Sequence, residues 1–141
     1  MKRRIILDTG PLVAFLNSQD KYHDWTKAQW AEIRPPLLTC EAVISEACFL
    51  LRGFHKGPSS VLELLKRKVL KISFSMEDQI AAISLFMNKY RSLPASLADA
   101  CLVRIAELHE SSTVLTLDSD FRIYRMHKRR VIPLLTPPDI T

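Results

Sequence analysis

Ile5-Ile6-Leu7-Asp8-Thr9-Gly10-Pro11 is an apolar run that ends abruptly in a carboxylate and then a turn of small residues. A buried parallel strand that opens at its C-terminal end onto a helix has this form. A second such ending, Val114-Leu115-Thr116-Leu117-Asp118, lies near the other terminus and runs into Ser119-Asp120-Phe121. Two strand-end carboxylates so far apart in sequence can meet in one site.

Between them the pattern alternates. Ile5 to Leu7 reads as a first strand, with Gly10 and Pro11 leading into a helix from Leu12 to about Asn17. Asp20 is placed to cap a second helix through about Ile33, with Trp25, Ala28 and Ile33 on its apolar side and Pro35-Pro36 beyond it. Leu37-Leu38-Thr39 reads as a strand, Ala42 to Leu51 as a helix stopped near Gly53, and Ser59 or Ser60 as the start of a helix through Lys68. Val69 to Ile72 returns to strand, and Ser75 caps a helix from Met76 to about Tyr90. Ser96 opens the strongest late helix, Leu97 to about His109, with Leu97, Cys101, Ile105 and Leu108 along one side. Thr113 to Leu117 is then a strand, Ser119 to Tyr124 a helical turn, and Val131 to Leu134 a terminal strand. No repeat or linker interrupts this order, which predicts one α/β domain over residues 1–141, a mainly parallel sheet with helices on both faces.

The 141 residues, 48% hydrophobic and 25% charged, suffice for a core without a partner and exclude a disordered chain. The longest apolar stretches are too short to span a bilayer. Cys40, Cys48 and Cys101 show no paired zinc-type spacing and read as buried free thiols; their odd number, without a signal peptide, points to the reducing cytoplasm. The net charge of +5 favours an anionic ligand. Positive runs at Lys2-Arg3-Arg4, Lys66-Arg67-Lys68 and Lys128-Arg129-Arg130 suggest a basic rim around an acidic centre. Phe15, Phe49 and Phe86 read as core, whereas Trp25, Trp30 and Phe54 are candidates for a protein interface.

Asp8, Glu46, Asp99 and Asp118 stand apart from surface acids, with Asp120 as a fifth candidate. Carboxylates set among apolar residues need compensating donors or a shared cation. Hard oxygen ligands suit Mg²⁺ or Mn²⁺, whose charge relieves their mutual repulsion and activates water against a phosphodiester. Each acid also has a structural reading. Ser96 and Asp99 make a capping-box pair, Glu46 can meet a Lys or Arg, Asp118 can cap the turn at Phe121, and Asp8 can hold the turn before Leu12.

The chain resembles the PIN-domain nucleases, in particular the small ribonuclease toxins of bacterial and archaeal toxin-antitoxin pairs. The resemblance runs through Ile6 to Ala14, Thr39 to Glu46, Leu97 to Ala100 and Leu115 to Phe121, nearly the whole chain in order. It implies a three-layer α/β/α fold and a divalent-metal endoribonuclease site with Asp8, Glu46 and Asp99 as its acidic core and Asp118 as the fourth acid. Asp120 would be an additional ligand or a local structural acid, and Thr9 and Thr116 would orient water or neighbouring carboxylates. Lys66, Arg67, Lys68 and Arg52 are candidates for RNA phosphate contact. The resemblance further implies an RNA substrate, a small antitoxin partner and a homodimer. The alternatives are an RNA-processing or DNA nuclease and a catalytically weakened interaction protein.

Overall fold

A computed structural model describes residues 3–140. Along the chain, β1 (Arg4–Leu7) leads into α1 (Thr9–Leu16) and α2 (His23–Ala31), and β2 (Leu37–Thr39) into α3 (Glu41–Leu50) and α4 (Gly57–Lys66). Next come β3 (Leu70–Ile72), α5 (Ile80–Lys89), α6 (Leu97–Leu108) and β4 (Ser112–Leu115), then a 3-10 turn over Ser119–Arg122. Three short strands follow: β5 (Arg125–Met126), β6 (Arg130–Val131) and β7 (Leu134–Leu135).

Five strands form one parallel sheet in the order β3-β2-β1-β4-β7. Successive strand residues point to opposite faces, yet Ile6 and Leu7, Leu37 and Leu38, and Val114 and Leu115 are all buried. Both faces are therefore covered, giving the three-layer α/β/α arrangement. From β1 the chain winds outward to β2 and β3, then crosses back to place β4 on the other side of β1. The strand ends at β1 and β4 are thus a switch point, where a crevice opens beyond the C-terminal edge of the sheet. Pairing in register from Arg4 with Ser112 to Leu7 with Leu115 brings the two acid-bearing loops side by side.

The element order expected from sequence holds through the 3-10 turn, but several boundaries move for identifiable reasons. α1 starts at Thr9, three residues before Leu12, because Asp8 itself is the N-cap. Asp20 accepts from the Tyr22 N–H at 2.9 Å in a local turn, and α2 begins only at His23 without a side-chain cap. In α2 Thr26 alone is fully buried; Ala28 is exposed, and Trp30 stacks on Phe15 at 3.9 Å. α4 opens at Gly57-Pro58, not at Ser59. A Cβ on Gly57 would lie 2.1 Å from the Leu51 carbonyl oxygen, so only glycine fits there. Ser75 caps a turn by accepting from the Asp78 N–H, and α5 starts four residues after Met76 was expected to begin it.

Helix α6 is buried around most of its circumference from Ala98 to Ala106, while Leu97 and Leu108, expected on the core side, are exposed at its ends. The single strand expected over Val131 to Leu134 is two: β6 pairs antiparallel with β5, and β7 joins β4 after Pro133. Phe86 is core, but Phe49, expected beside it, is 60% exposed. Cys40 and Cys101 are buried free thiols, whereas Cys48 is only half-buried.

Candidate active site

Asp8 is fixed before any long-range contact is considered. As N-cap of α1 its Oδ1 accepts from the Thr9 N–H at 2.8 Å, which aims the carboxylate along the first turn of the helix. The adjacent strand then supplies the second contact, Thr116 Oγ1 donating to Asp8 Oδ2 at 2.7 Å. Thr116 Oγ1 also accepts from the Asp118 N–H at 2.9 Å, which leaves its own proton for the Asp8 carboxylate. Thr116 thus ties the two strand-end loops together through one buried hydroxyl. Gly10 packs closely here, since a Cβ would meet Leu117 at 3.3 Å.

Asp99 comes from the first turn of α6. The capping box expected from Ser96 is present, with Ser96 Oγ accepting from the Asp99 N–H and Asp99 Oδ2 accepting from the Ser96 N–H, each at 3.0 Å. This does not remove Asp99 from the site, because the same residue lines the cleft. Tyr124, which no sequence motif marks, donates its hydroxyl to Asp99 Oδ2 at 3.0 Å.

Asp8, Thr9, Glu46, Asp99 and Asp118 all line one cleft of about 550 Å³. Asp118 caps the 3-10 turn, its Oδ1 accepting from the Asp120 N–H at 2.9 Å. Asp120 lies off the cleft lining. Glu46 is exposed on α3 and, among the described residues, makes no ion pair with a Lys or Arg. Burial pushes the Asp8 carboxyl up from 3.8 to about 7, with the charges of Asp99 and Asp118 adding to the rise against its two hydrogen bonds. Burial likewise raises Asp99, opposed by its hydrogen bonds to Ser96 and Tyr124. Among the described residues, no Lys, Arg or His lines the cleft to offset these charges.

Among the described residues, no three His, Cys, Asp or Glu side chains are gathered tightly enough to grip a metal as they stand. One oxygen each of Asp99 and Asp118 and both of Asp8 are held by neutral donors. The donor chemistry nevertheless fits a hard divalent ion, being carboxylate oxygen without a competing ammonium or guanidinium. The buried Thr9 hydroxyl beside Asp8 has no protein partner among the described residues, which suits an additional oxygen ligand in the cleft.

The basic runs are not gathered around these acids. Arg4 and Ser112 pair at the starting ends of β1 and β4, and Lys68 lies just before β3. Arg130 lines a shallow cavity with Arg3 and Ser112. All three runs therefore sit toward the strand-start edge, away from the strand-end cleft; Lys2 lies outside the described residues. Arg67 pairs with Glu63 at 3.1 Å, while Lys66 and Lys68 are exposed. Arg52 lies 3.8 Å over the Phe49 ring and donates to the Phe49 carbonyl. The expected basic rim around an acidic centre is not formed, because none of the described residues of the three runs lines the carboxylate cleft.

The family model for the PIN domain matches residues 5–125, the span from β1 to β5 that contains every cleft carboxylate. The chain belongs to the PIN-domain family. Its fold is similar to that of Mycobacterium tuberculosis VapC20, described as a sarcin-ricin loop cleaving toxin, with a TM-score of 0.77 and 21% identity. That similarity covers 89% of this chain and 98% of the other. No curated protein matches the chain. No helix among the described residues of this PIN domain is long and apolar enough to cross a membrane.

Thr116 provides a test of the site's wiring. Thr116→Val keeps the side-chain volume but removes the hydroxyl that lowers the Asp8 pKa, so that pKa should rise further above about 7. Losing a hydrogen bond to a charged group corresponds to about one pH unit. The Asp8 carboxyl of the variant, followed by carboxyl NMR across a pH series, should accordingly titrate about one unit higher than in the unaltered protein. An unchanged midpoint would remove Thr116 from the control of Asp8.

Proposed function

We propose that this PIN domain is a divalent-metal-dependent endoribonuclease, acting as the toxin of a toxin-antitoxin pair. The observation that carries the catalytic part is the cleft at the β1–β4 switch point. There the charges of Asp99 and Asp118 push the Asp8 carboxyl up, that of Asp118 pushes Asp99 up, and no Lys or Arg is among the described residues lining the cleft. The likeness in fold to a ribosomal-RNA-cleaving toxin supports the choice of RNA and of the toxin role.

Asp8, Glu46, Asp99 and Asp118 would hold Mg²⁺ or Mn²⁺, with Thr9 beside them and Asp120 at the periphery. When bound, the ion supplies Lewis acidity toward a phosphodiester and toward water. The chain's own part is orientation. The Thr9 N–H and the Thr116 hydroxyl hold Asp8, and Thr116 couples that carboxylate to the loop of Asp118. The Ser96 N–H holds Asp99 at the first turn of α6. These donors are neutral, so they fix the carboxylates without cancelling the charge that attracts a cation. Exposed Phe49, Leu50 and Phe54, next to the cleft wall at Glu46 and Leu50, support a protein partner such as a small antitoxin or a second copy of the chain.

Metal-stripped protein should be incubated with defined RNAs and DNAs, Mg²⁺ or Mn²⁺ restored separately, and every cleavage end mapped. RNA cut internally only after metal is restored is the expected result. Selective cutting of DNA would assign a DNA nuclease, and RNA bound but uncut at all metal concentrations would assign an interaction protein.

Lys66, Arg67 and Lys68 are proposed as remote phosphate contacts, since a long RNA extends past the cleft edge. Replacing all three by Gln should weaken RNA affinity and flatten its salt dependence by roughly one to three counterions, with turnover of bound RNA unchanged. Filter binding across a salt series checks this, and an unaltered slope would return the run to a solvated surface.

A further inference from the structure

Tyr124, directly after the 3-10 turn that Asp118 caps, is completely buried. Its ring is boxed by Phe86, Tyr90 and Phe121, at centroid distances of 5.0, 5.1 and 5.3 Å and steep interplanar angles. Tyr90 in turn accepts from the Arg125 N–H at 2.9 Å, which pins the backbone directly after Tyr124. The phenol is thus held on all sides by α5 and the 3-10 turn, with its hydroxyl 3.0 Å from Asp99 Oδ2.

The same oxygen of Asp99 receives the Ser96 N–H. Asp99 Oδ1, by contrast, has no hydrogen-bond donor among the described residues, although Asp99 lines the cleft. One oxygen is saturated from the protein side and the other is left for the cleft. Packing alone does not call for this arrangement, because phenylalanine would fill the aromatic box without a buried hydroxyl to satisfy. A Lys or Arg at this place would hold the carboxylate more tightly but would repel an incoming cation. Burial pushes the Tyr124 phenol well above its ordinary pKa, so it stays a neutral donor at any physiological pH.

We infer that Tyr124 is a positioning residue for Asp99, fixing Oδ2 from inside the core so that Oδ1 serves as the ligand atom for a divalent cation; this rests on the metal-dependent reading of the cleft. A donor that orients a ligating carboxylate from behind contributes about 10- to 100-fold to metal affinity.

The test is calorimetric titration of Mn²⁺ into the unaltered protein, Tyr124→Phe, Asp99→Asn and the double variant, with thermal unfolding of each recorded. Tyr124→Phe should bind Mn²⁺ about 10-fold more weakly while still unfolding cooperatively. In the Asp99→Asn background the same change should cost nothing further, because the interaction it serves is already gone. Equal affinity of Tyr124→Phe and the unaltered protein, or an equal loss in both backgrounds, would overturn the inference and leave the metal site standing. No Mn²⁺ binding by the unaltered protein would overturn the metal reading and this inference with it. If Tyr124→Phe fails to fold, the unaltered protein decides: the buried Tyr124 hydroxyl proton should be visible in NMR spectra and should persist when Mg²⁺ is added. Its disappearance would show that Asp99 leaves Tyr124 on binding metal, contrary to the inference.

Discussion

Asp8→Asn is expected to lower metal-dependent cleavage by more than about 100-fold, beyond the 10- to 100-fold typical of losing a supporting contact, while making the metal-free protein more stable at pH 8. The two effects have one cause. Asp8 is buried between Thr9 and Thr116, where burial favours its protonated form and lifts its pKa from 3.8 to about 7. Above that pH the empty site carries a desolvated anion next to Asp99 and Asp118. Asparagine keeps the shape and a carbonyl acceptor for the Thr9 N–H but carries no charge.

The sign of the pH dependence follows from linkage. Between pH 3.8 and about 7 the folded protein holds a proton on Asp8 that the unfolded chain releases, so stability from this group is full below the lower value and lost as pH rises through the upper one. A shift from 3.8 to about 7, at about 1.4 kcal/mol per unit, sets a ceiling of about 4 kcal/mol on the loss. Recovering even 1–2 kcal/mol raises the melting temperature of a domain this size by roughly 5 °C. Calorimetric scans of metal-free protein from pH 4 to 8 should show the unaltered protein losing stability and Asp8→Asn losing less. Bound Mg²⁺ should reverse the order at pH 8. A variant that cuts RNA normally, or one destabilised at every pH, would place Asp8 in the scaffold alone.

The features most legible in the sequence are those set by local chemistry. An apolar run too short for a helix and ending in Asp-Thr-Gly gave β1 and its acid. Leu37-Leu38-Thr39 emerged with its expected limits, and Ser96 with Asp99 formed the capping box their spacing implies. What sequence could not show is what the sheet decides. The boundary of α4 depends on how closely its first residue, Gly57, approaches the Leu51 carbonyl at the end of α3, a contact between two helix ends. Arg4 and Lys68 look like part of a rim when read linearly, but parallel pairing puts residues before strands at one edge and residues after strands at the other. Tyr124 carries no motif because its partner is Asp99, on a different element. Phe49 fails as core for a similar reason: helical spacing marks an apolar face, but only the neighbours decide which face is covered.

Asp118 and Asp120, two acids separated in the chain by Ser119 alone, are expected to differ sharply when neutralised. Asp118 lines the cleft and acts electrostatically on both Asp8 and Asp99, and its N–H is anchored on the hydroxyl that holds Asp8. Asp120 is already one turn away, giving its N–H to Asp118 and its carbonyl to the amides of Ile123 and Tyr124. Asp118→Asn keeps the cap, because an amide oxygen still accepts from the Asp120 N–H, so a folding defect is not expected. It removes one of the charges that attract a cation, and cleavage should fall about 10- to 100-fold with a matching rise in the Mg²⁺ concentration needed. Asp120→Asn leaves the cleft lining intact and should change single-turnover cleavage by less than about threefold, in keeping with a screened charge outside the ligand set. Paired metal titrations and single-turnover assays on the two variants check the assignment, and the reverse order of effects would move the fourth carboxylate of the site from Asp118 to Asp120.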